Sequence, residues 1–369
     1  MAANDAAPAE DDEVALYDYP AAGVRIASVP VAPRDAARLL VAARHQGAPR
    51  HQGIRDLPEL LLPGDLLVVN DTRVLPVRLV ARRASGGAVE LLLHPTGRDD
   101  DAAILALLQP SARLREGEIL TIVGGPRVTL LDPPGPELRR VAIEGGLAAA
   151  LPHGALPLPP YLPREQGAQE RDRVDYQTVF AAAPGAIAAP TAGLHFTPEL
   201  LDRLAARGVG LVRITLHVGP GTFLPVRADL LSRHAMHEEL YEITPAAVAA
   251  IAQTKAAGGR VIAVGTTTTR ALEAAAQAGA GTLGAGRART RLMIRPPFRF
   301  AVLDGLLTNF HLPRTTLLAL VAAFSSRERL LELYREAIAV GYRFYSYGDA
   351  MLLLDPKVGA KDGAGATGR

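Results

Sequence analysis

The sequence contains no cysteine, and only three of its 40 basic residues are lysine. The absence of cysteine excludes disulfide bonds and thiolate catalysis, and it fits a reducing compartment. No apolar run is long enough to span a membrane, and the acidic, alanine-rich beginning does not resemble a signal peptide. We therefore expect a cytoplasmic protein with no membrane partner, and a chain of 369 residues is long enough for two domains.

The net charge is only +2, which argues against a general polyanion binder. An arginine excess of this kind fits a high-GC genome. The planar guanidinium of arginine also makes two parallel hydrogen bonds to a phosphate or a base edge, which lysine cannot do. The densest group of basic residues predicts either a nucleic-acid patch or a solvated loop. It consists of Arg287, Arg289, Arg291, Arg295 and Arg299.

Two turns rich in glycine, threonine, proline and histidine surround an ordinary helix and strand, at 191–195 and 217–223. Thr197 is placed to cap the helix, Pro198 suits its first position, and Gly208 suits its end. Leu211 to Leu216 then predicts a buried strand. Small residues beside histidines and hydroxyls at element ends are typical of a ligand site. The alternative is a pair of tight turns with two buried histidines.

The order of elements predicts an α/β (α+β) main domain of alternating strands and helices, interrupted by a small all-β barrel or sandwich. Residues 71–152 form the predicted insertion, because short strands follow one another there with glycine and proline punctuation. The main domain then comprises 15–70 and 153–356. The tails 1–14 and 357–369 have the composition of disordered segments.

The segment from Gly265 to Arg270 follows a buried strand and precedes a predicted helix, Ala271 to Ala278. A loop in this position directs backbone N–H groups at a carboxylate or phosphate. In the alternative, its four threonine hydroxyls only cap the helix.

Two other motifs match known sites formally and fail on context. Gly279 to Gly284 has the spacing of a dinucleotide fingerprint, but it follows a helix and precedes an arginine-rich loop. His234, His237 and Glu238 suggest a metal pair, but they match no zincin spacing and have no obvious third ligand.

Eight segments together resemble the family of S-adenosylmethionine:tRNA ribosyltransferase-isomerases of queuosine synthesis, over about Tyr17 to Leu354. They are LLPGDLLVVNDTRVLPVRL, PLPPYLP, APTAGLHFTPELL, ITLHVGPGTFLPV, MHEELYEI, GGRVIAVGTTTTRALE, LTNFHLPRTTLLALVAAF and GYRFYSYGDAMLL. The resemblance implies an α/β domain interrupted by a small β-barrel, in agreement with the order of elements.

The resemblance also implies a reaction. S-adenosylmethionine, as co-substrate, gives its ribosyl part to 7-aminomethyl-7-deazaguanine at the tRNA wobble position. The ribose rearranges to an epoxycyclopentane, and adenine and methionine leave. The resemblance implies neither a metal nor a prosthetic group. We expect a monomer whose partners are S-adenosylmethionine and the tRNA anticodon loop.

The reaction implied by the resemblance asks for a base near the sulfonium and an acid near adenine. His195 and His217 are the candidates, since imidazole titrates near neutrality. Glu238 and Asp349 are the carboxylate alternatives. For each histidine, a hydrogen-bonded structural role is the competing interpretation.

The substrate contacts follow the same reasoning. We expect Phe223, Tyr345 or Tyr347 to hold the sulfonium by cation–π attraction. We expect the segment from Gly265 to Arg270 to hold the methionine carboxylate, with Arg270 as its charged partner. The full predicted set is Thr191, Gly193, Gly219, Gly221, Thr222, Phe223, Thr266, Thr267, Arg270, Asn309, His311, Tyr345 and Tyr347.

For the tRNA, whose target base must be unstacked, the predicted contacts are Arg73, Arg289, Arg291 and Arg295. The chain departs from the family pattern at Ser28, where the family has glutamine, at Thr268 and Thr269, and over Arg289 to Pro297. A divergent paralogue with another acceptor is therefore one alternative. A non-catalytic RNA-binding protein of the same fold is another.

Overall fold

The computed structural model describes residues 11–20, 22–96, 103–134, 137–162, 164, 169–224 and 226–355. These residues form a mixed α/β structure with eight α-helices and several sheets. The helices are α1 Leu57–Leu60, α2 Gly146–Ala150, α3 Asp172–Asp175, α4 Pro198–Ala206, α5 Pro245–Ala256, α6 Thr266–Ala278, α7 Thr316–Phe324 and α8 Arg327–Ala339. Among the described residues, no helix combines the length and the apolar composition that crossing a bilayer requires.

The strands belong to one large sheet, one closed sheet and two short pairs. They are β1 Arg25–Ile26, β2 Arg38–Ala42, β3 Arg50–Gly53, β4 Leu66–Asn70, β5 Thr72–Val74, β6 Arg78–Arg83, β7 Ala88–His94, β8 Ile104–Gln109, β9 Ile119–Ile122, β10 Arg127–Leu130, β11 Leu138–Ile143, β12 Ala183–Ala186, β13 Gly210–Leu216, β14 Glu239–Ile243, β15 Val261–Val264, β16 Gly286–Thr290, β17 Gly305–Asn309, β18 Arg343–Phe344 and β19 Ala350–Leu354.

The large sheet has nine strands in the order β16-β14-β13-β4-β15-β17-β19-β2-β3. Its central strands β13, β4, β15 and β17 run parallel to one another. The outer strands β14 and β16 pair antiparallel on one side, and β19 pairs antiparallel with β17 on the other. The carboxyl ends of four neighbouring parallel strands therefore meet along one edge.

Both faces of this sheet are covered, because side chains alternate along a strand. In β4, Leu66 and Val68 pack into a core that includes residues of α5, α6, α7 and α8. Leu67 and Val69 of the same strand pack on the opposite side, with residues of α1 and α4. The run of apolar residues in β4 is thus explained by burial on both faces.

Six antiparallel strands between residues 78 and 143 pair in a ring, β10-β11-β8-β7-β6-β9, so that the sheet closes into a barrel. Each strand hydrogen-bonds to two neighbours, and β9 completes the ring by pairing with both β6 and β10. The ring encloses its own apolar cluster, which includes Leu79, Leu91 and Val128.

Several local predictions are confirmed. Thr197 accepts a hydrogen bond from the Leu200 N–H, and Pro198 begins α4. Thr244 caps α5 in the same way, through the Ala247 N–H. These caps depend only on neighbouring residues, which explains why a sequence pattern identifies them.

The prediction that α6 begins at Ala271 was wrong, because the helix begins at Thr266. Gly265 has φ 93° and ψ 156°, a conformation that allows the chain to turn directly from strand to helix. The hydroxyls of Thr268 and Thr269 then donate to the carbonyls of Val264 and Gly265 at 2.8 and 3.1 Å. Threonines that suggested a loop are therefore satisfied inside a helix.

Other boundaries also differ from prediction. Residues 286–290 form edge strand β16 instead of a solvated loop, since they pair with β14. Strand β13 is less buried than expected, with Leu211 38% exposed. Asp12 and Val14 are buried, so the predicted N-terminal disorder extends too far. Asp12 accepts from the Ser232 N–H at 2.9 Å. The remaining tail residues, 1–10 and 357–369, lie outside the described residues.

Candidate functional site

The site lies at the edge where the central parallel strands end. Asn70 ends β4, and its side-chain amide donates to the Leu216 carbonyl at 2.9 Å, at the end of β13. The same amide nitrogen is 3.1 Å from the Thr267 hydroxyl oxygen, in the first turn of α6. Asn70 thereby joins three elements at this edge, the usual place for a ligand in an open α/β sheet.

A cavity that is partly open to solvent occupies this edge. Residues predicted from five separate segments of the sequence line it together. They are Thr191, Gly221, Thr266, Thr267, Arg270, Asn309, His311 and Tyr345.

Three residues of the predicted substrate set are absent from the cavity wall. A Cβ on Gly193 would lie 3.0 Å from the Thr178 methyl group, so this glycine allows close packing behind the site. Gly219 donates its N–H to a Glu239 carboxylate oxygen at 3.0 Å. Tyr347 is buried edge-on against Tyr176, with ring centroids 6.0 Å apart. Of the remaining two, Thr222 and Phe223, the side chains lie outside the described part of the chain.

Asn309 is the centre of a hydrogen-bond network in the wall. Its Oδ1 accepts from the Thr191 hydroxyl at 3.0 Å, and its Nδ2 donates to the Tyr345 carbonyl at 3.1 Å. The same nitrogen is 3.2 Å from Nε2 of His195. Burial lowers the pKa of His195 to about 4, so that ring is neutral near pH 7. His195 stands behind Asn309 and is not part of the cavity wall.

His217 also lies outside the wall. Its Nδ1 is 2.8 Å from the Thr72 hydroxyl, and a Cβ on Gly185 would meet its ring at 2.7 Å. Burial, followed by the positive charge of Arg287, lowers its pKa to about 4. Both candidate acid–base histidines, His195 and His217, are therefore packed behind the cavity wall and do not line the cavity.

The imidazoles in the wall belong to His234, His237 and His311. His311 has Nε2 2.8 Å from the Thr308 hydroxyl, and burial lowers its pKa to about 4. His237 is 24% exposed, with Nε2 3.9 Å from a Glu137 carboxylate oxygen. The sequence interpretation considered His234 and His237 only as a metal pair and missed them as wall residues. His237 nevertheless belongs to the segment MHEELYEI, which is among the family motifs.

Neither predicted carboxylate lies in the wall. Asp349 accepts from the backbone N–H groups of Arg38 and Arg343 at 3.0 and 2.8 Å, and from the Arg343 guanidinium at 3.1 Å. These contacts tie β2 to the turn before β19. Glu238 pairs with Arg289 and Arg291, each at 3.5 Å.

The carboxylate in the wall is Glu239, which the sequence interpretation missed. It is 4% exposed and lies 2.8 Å from an Arg270 guanidinium nitrogen. A signal was available in the sequence: in β14, Glu239 shares a face with the buried residues Tyr241 and Ile243, because side chains alternate. Arg270, predicted to be an available cation for a carboxylate, already has an anionic neighbour.

Tyr345 is an aromatic residue of the cavity wall. Its φ of 72° is in the left-handed region that a non-glycine residue rarely adopts. Its ring centroid is 4.9 Å from that of Tyr161, whose hydroxyl is 2.6 Å from the Ser346 hydroxyl. Strained backbone held by such a network is typical of a ligand site.

The predicted tRNA contacts are separate from the cavity wall. Arg73 is exposed on β5, and Arg291 is 71% exposed. Arg289 donates to the Thr96 carbonyl at 2.9 Å, and Arg295 is 3.3 Å from the Asp12 carboxylate. The patch is therefore partly neutralised by nearby carboxylates.

No group of three or more histidine and carboxylate side chains in the described ranges is placed to hold a metal ion. The residues brought together at the cavity are hydroxyls, amides, imidazoles, aromatic rings and one buried ion pair. Such a set recognises a polar organic ligand through hydrogen bonds and charge.

Comparisons with known proteins find one family over almost the whole chain. Residues 14–353 match the family described as "Queuosine biosynthesis protein". An S-adenosylmethionine:tRNA ribosyltransferase-isomerase of Anaeromyxobacter dehalogenans is 53% identical over 351 residues, 92% of this chain and 98% of the relative. One from Thermus thermophilus is 51% identical over 352 residues, with the same coverage.

A comparison with solved structures also finds a protein with this activity in its name. The crystal structure of an S-adenosylmethionine tRNA ribosyltransferase from Thermotoga maritima superposes with a TM-score of 0.52 at 35% identity. The match covers 92% of this chain and 100% of that one.

Proposed function

This chain belongs to the queuosine biosynthesis protein family, and we propose that it is an S-adenosylmethionine:tRNA ribosyltransferase-isomerase. It transfers the ribosyl part of S-adenosylmethionine to 7-aminomethyl-7-deazaguanine at the tRNA wobble position and isomerises it. The products are epoxyqueuosine-tRNA, adenine and methionine. S-adenosylmethionine is a co-substrate, and the proposed reaction uses no metal or prosthetic group.

The observation that carries the proposal is the common cavity. Thr191, Thr267, Asn309 and Tyr345 come from segments far apart in sequence, and they line one space at the carboxyl ends of the parallel strands. The same segments carry the family motifs. A cavity lined by aromatic rings and several convergent polar groups fits a charged nucleoside.

The methionine carboxylate is proposed to bind where α6 begins. The first N–H groups of a helix have no acceptor within the helix, and its dipole favours an anion there. Thr266 and Thr267 supply that turn, and both line the cavity. Arg270, in the same helix, adds a guanidinium at the wall.

The sulfonium is proposed to lie against Tyr345. A cation over an aromatic face gains about 0.5–2 kcal/mol, and the neighbouring Tyr161 ring extends the aromatic surface. Tyr347 does not line the cavity and is therefore not favoured for this contact.

For proton transfer we propose His237 and His311, because their rings are in the wall. His311 is neutral near pH 7 and suits the base, while His237 has the solvent access that an acid needs to regain its proton. His195 and His217 then act as positioning residues for Asn309 and Thr72. Glu238 and Asp349 have no role in the chemistry under this proposal.

For the tRNA we propose an inserted barrel domain, residues 71–152, within a main domain of 15–70 and 153–356. Its closed strand ring and its own apolar cluster support this division. The barrel and the arginines at 73, 289, 291 and 295 form the proposed anticodon-loop surface. A monomer is the proposed acting unit, and a tRNA substrate supports a cytoplasmic location.

The experiment is an adenine-release assay with S-adenosylmethionine and tRNA carrying the 7-aminomethyl base. We expect stoichiometric adenine and modified tRNA. The matched control is the same tRNA with guanine at the wobble position, which should release no adenine. Release with a different acceptor alone would identify a paralogue. Binding of tRNA without any adenine release would identify a non-catalytic RNA-binding protein.

A further inference from the structure

The ion pair between Glu239 and Arg270 forms part of the cavity wall and is not fully satisfied there. One guanidinium nitrogen of Arg270 is 2.8 Å from Oε2 of Glu239, and Oε1 of Glu239 accepts from the Gly219 N–H at 3.0 Å. Arg270 is 8% exposed, and Glu239 is 4% exposed. Among the described residues, however, Nε and the second terminal nitrogen of Arg270 have no hydrogen-bond partner, and the partner of Oε2 of Glu239 is the ion-pair contact with Arg270 alone.

A buried charged group that lacks hydrogen-bond partners lowers the stability of the folded protein. A guanidinium has five N–H donors in a fixed plane, and a carboxylate has about four acceptor sites. Leaving such groups without partners away from water loses the hydration that they had in the unfolded chain. A ligand that supplies the missing partners recovers this loss on binding.

The missing partners have opposite signs. The free nitrogens of Arg270 require an anionic or neutral acceptor, for which a carboxylate is the best geometric match. A carboxylate oxygen has two lone pairs, so Oε2 of Glu239 can accept from a second donor beside Arg270, and a cationic donor gives the strongest contact. An α-amino acid carries both groups on one carbon, so a single small zwitterion completes both sides of the pair.

We propose that Glu239 and Arg270 together form a zwitterion clamp for the α-amino-acid end of the sulfonium substrate. Arg270 binds the α-carboxylate through its free nitrogens, and Glu239 binds the α-ammonium through Oε2. The inference rests on the proposed function for the identity of the substrate. It adds a specificity-determining residue, Glu239, and a requirement for the α-ammonium group.

The other cations of the reaction do not fit the pair as well. The sulfonium has no N–H or O–H to donate to Glu239, and the aminomethyl group of the acceptor base has no carboxylate for Arg270. Either would leave one half of the pair without a partner.

The test uses binding of the product amino acid to the intact protein, measured by calorimetry. The probes are L-methionine, 4-(methylthio)butanoate, which lacks the amine, and 3-(methylthio)propylamine, which lacks the carboxylate. We expect loss of either group to weaken binding about ten- to a hundredfold, the value of a charged hydrogen bond. Equal affinity for L-methionine and the amine-free acid would overturn the proposal, and so would absence of L-methionine binding.

The variant Glu239→Gln assigns the effect to the residue, since glutamine keeps an acceptor for the Gly219 N–H. We expect it to weaken L-methionine binding about ten- to a hundredfold, with no loss for the amine-free acid. The matched control is Glu242→Gln, on the exposed face of the same strand, which should bind both ligands as the wild type does. Equal weakening of both ligands by Glu239→Gln would overturn the proposal.

The outcome is separable from that of the proposed function. Selective methionine binding without adenine release would leave the clamp and reject the transferase. Adenine release by a protein that binds the amine-free acid as tightly as methionine would leave the transferase and reject the clamp.

Discussion

The side-chain amide of Asn309 donates both to Nε2 of His195 at 3.2 Å and to the carbonyl oxygen of Tyr345 at 3.1 Å. Because a carbonyl oxygen only accepts, the amide nitrogen is the group that faces both partners. Nε2 of His195 must therefore be unprotonated, and the proton of the neutral ring is on Nδ1. The fold thus requires a neutral imidazole behind the cavity wall.

This requirement predicts a loss of stability in acid. Burial lowers the pKa of His195 and of His94 from 6.5 to about 4, so below 6.5 the unfolded chain binds more protons than the folded one. The free energy of unfolding should then fall by up to about 1.4 kcal/mol per pH unit for each histidine, and level off below the folded pKa. Urea unfolding at pH 7, 6 and 5 measures the slope. His195→Gln should reduce it, whereas His45→Asn, at an exposed position, should not. An unchanged slope in the first variant would contradict the assignment.

Gly265→Ala should reduce both stability and activity. The φ of 93° and ψ of 156° at this position are almost restricted to glycine, so alanine should cost about 1–3 kcal/mol and shift the turn that presents Thr266 and Thr267 to the cavity. The control is Gly258→Ala, with φ of 71° and open space around a new Cβ. It should lose about 1–2 kcal/mol of stability and keep the wild-type kcat/KM. Thermal unfolding and adenine release measure the two effects, and equal kcat/KM in both variants would count against a role for this turn.

Asp349→Asn should act on folding instead of chemistry. The carboxylate of Asp349 accepts from two backbone N–H groups and a guanidinium, and weakening charged hydrogen bonds costs about 1–3 kcal/mol. We expect a lower midpoint of thermal unfolding and a pH dependence of kcat like that of the wild type. Loss of kcat at full stability would instead return this residue to the list of catalytic candidates.

Removing Arg289 and Arg291 together should weaken tRNA binding and leave methionine binding unchanged. Each lost phosphate contact should reduce the slope of log affinity against log salt by about 0.7–0.9. Titrations over a range of salt concentrations provide this slope. Arg335→Ala is the control, because this exposed arginine lies near Pro49, at the β3 edge of the sheet and opposite β16. An equal change in slope for the control would show that position on the surface does not matter.

Local patterns in the sequence identified much of the fold. The Thr197–Pro198 and Thr244–Pro245 helix starts and the buried β15 are set by neighbouring residues, through capping and periodicity. The threonines after Gly265 show the limit of such patterns, because hydroxyls that suggest a loop can also bond within a helix. A positive φ at one glycine decided between the two.

The sequence by itself determined the family, the alternating α/β order and most of the polar segments that meet at the cavity. Only the tertiary structure decided which of their side chains line it: Glu239 in place of Glu238, and His237, beside the predicted His311, in place of His195 and His217. The physical reason is the separation in sequence of the residues that interact. Caps and strand periods depend on residues a few positions apart, whereas a cavity wall depends on the order and register of strands distant in sequence. A shift of one residue in a strand exchanges the face that a side chain occupies.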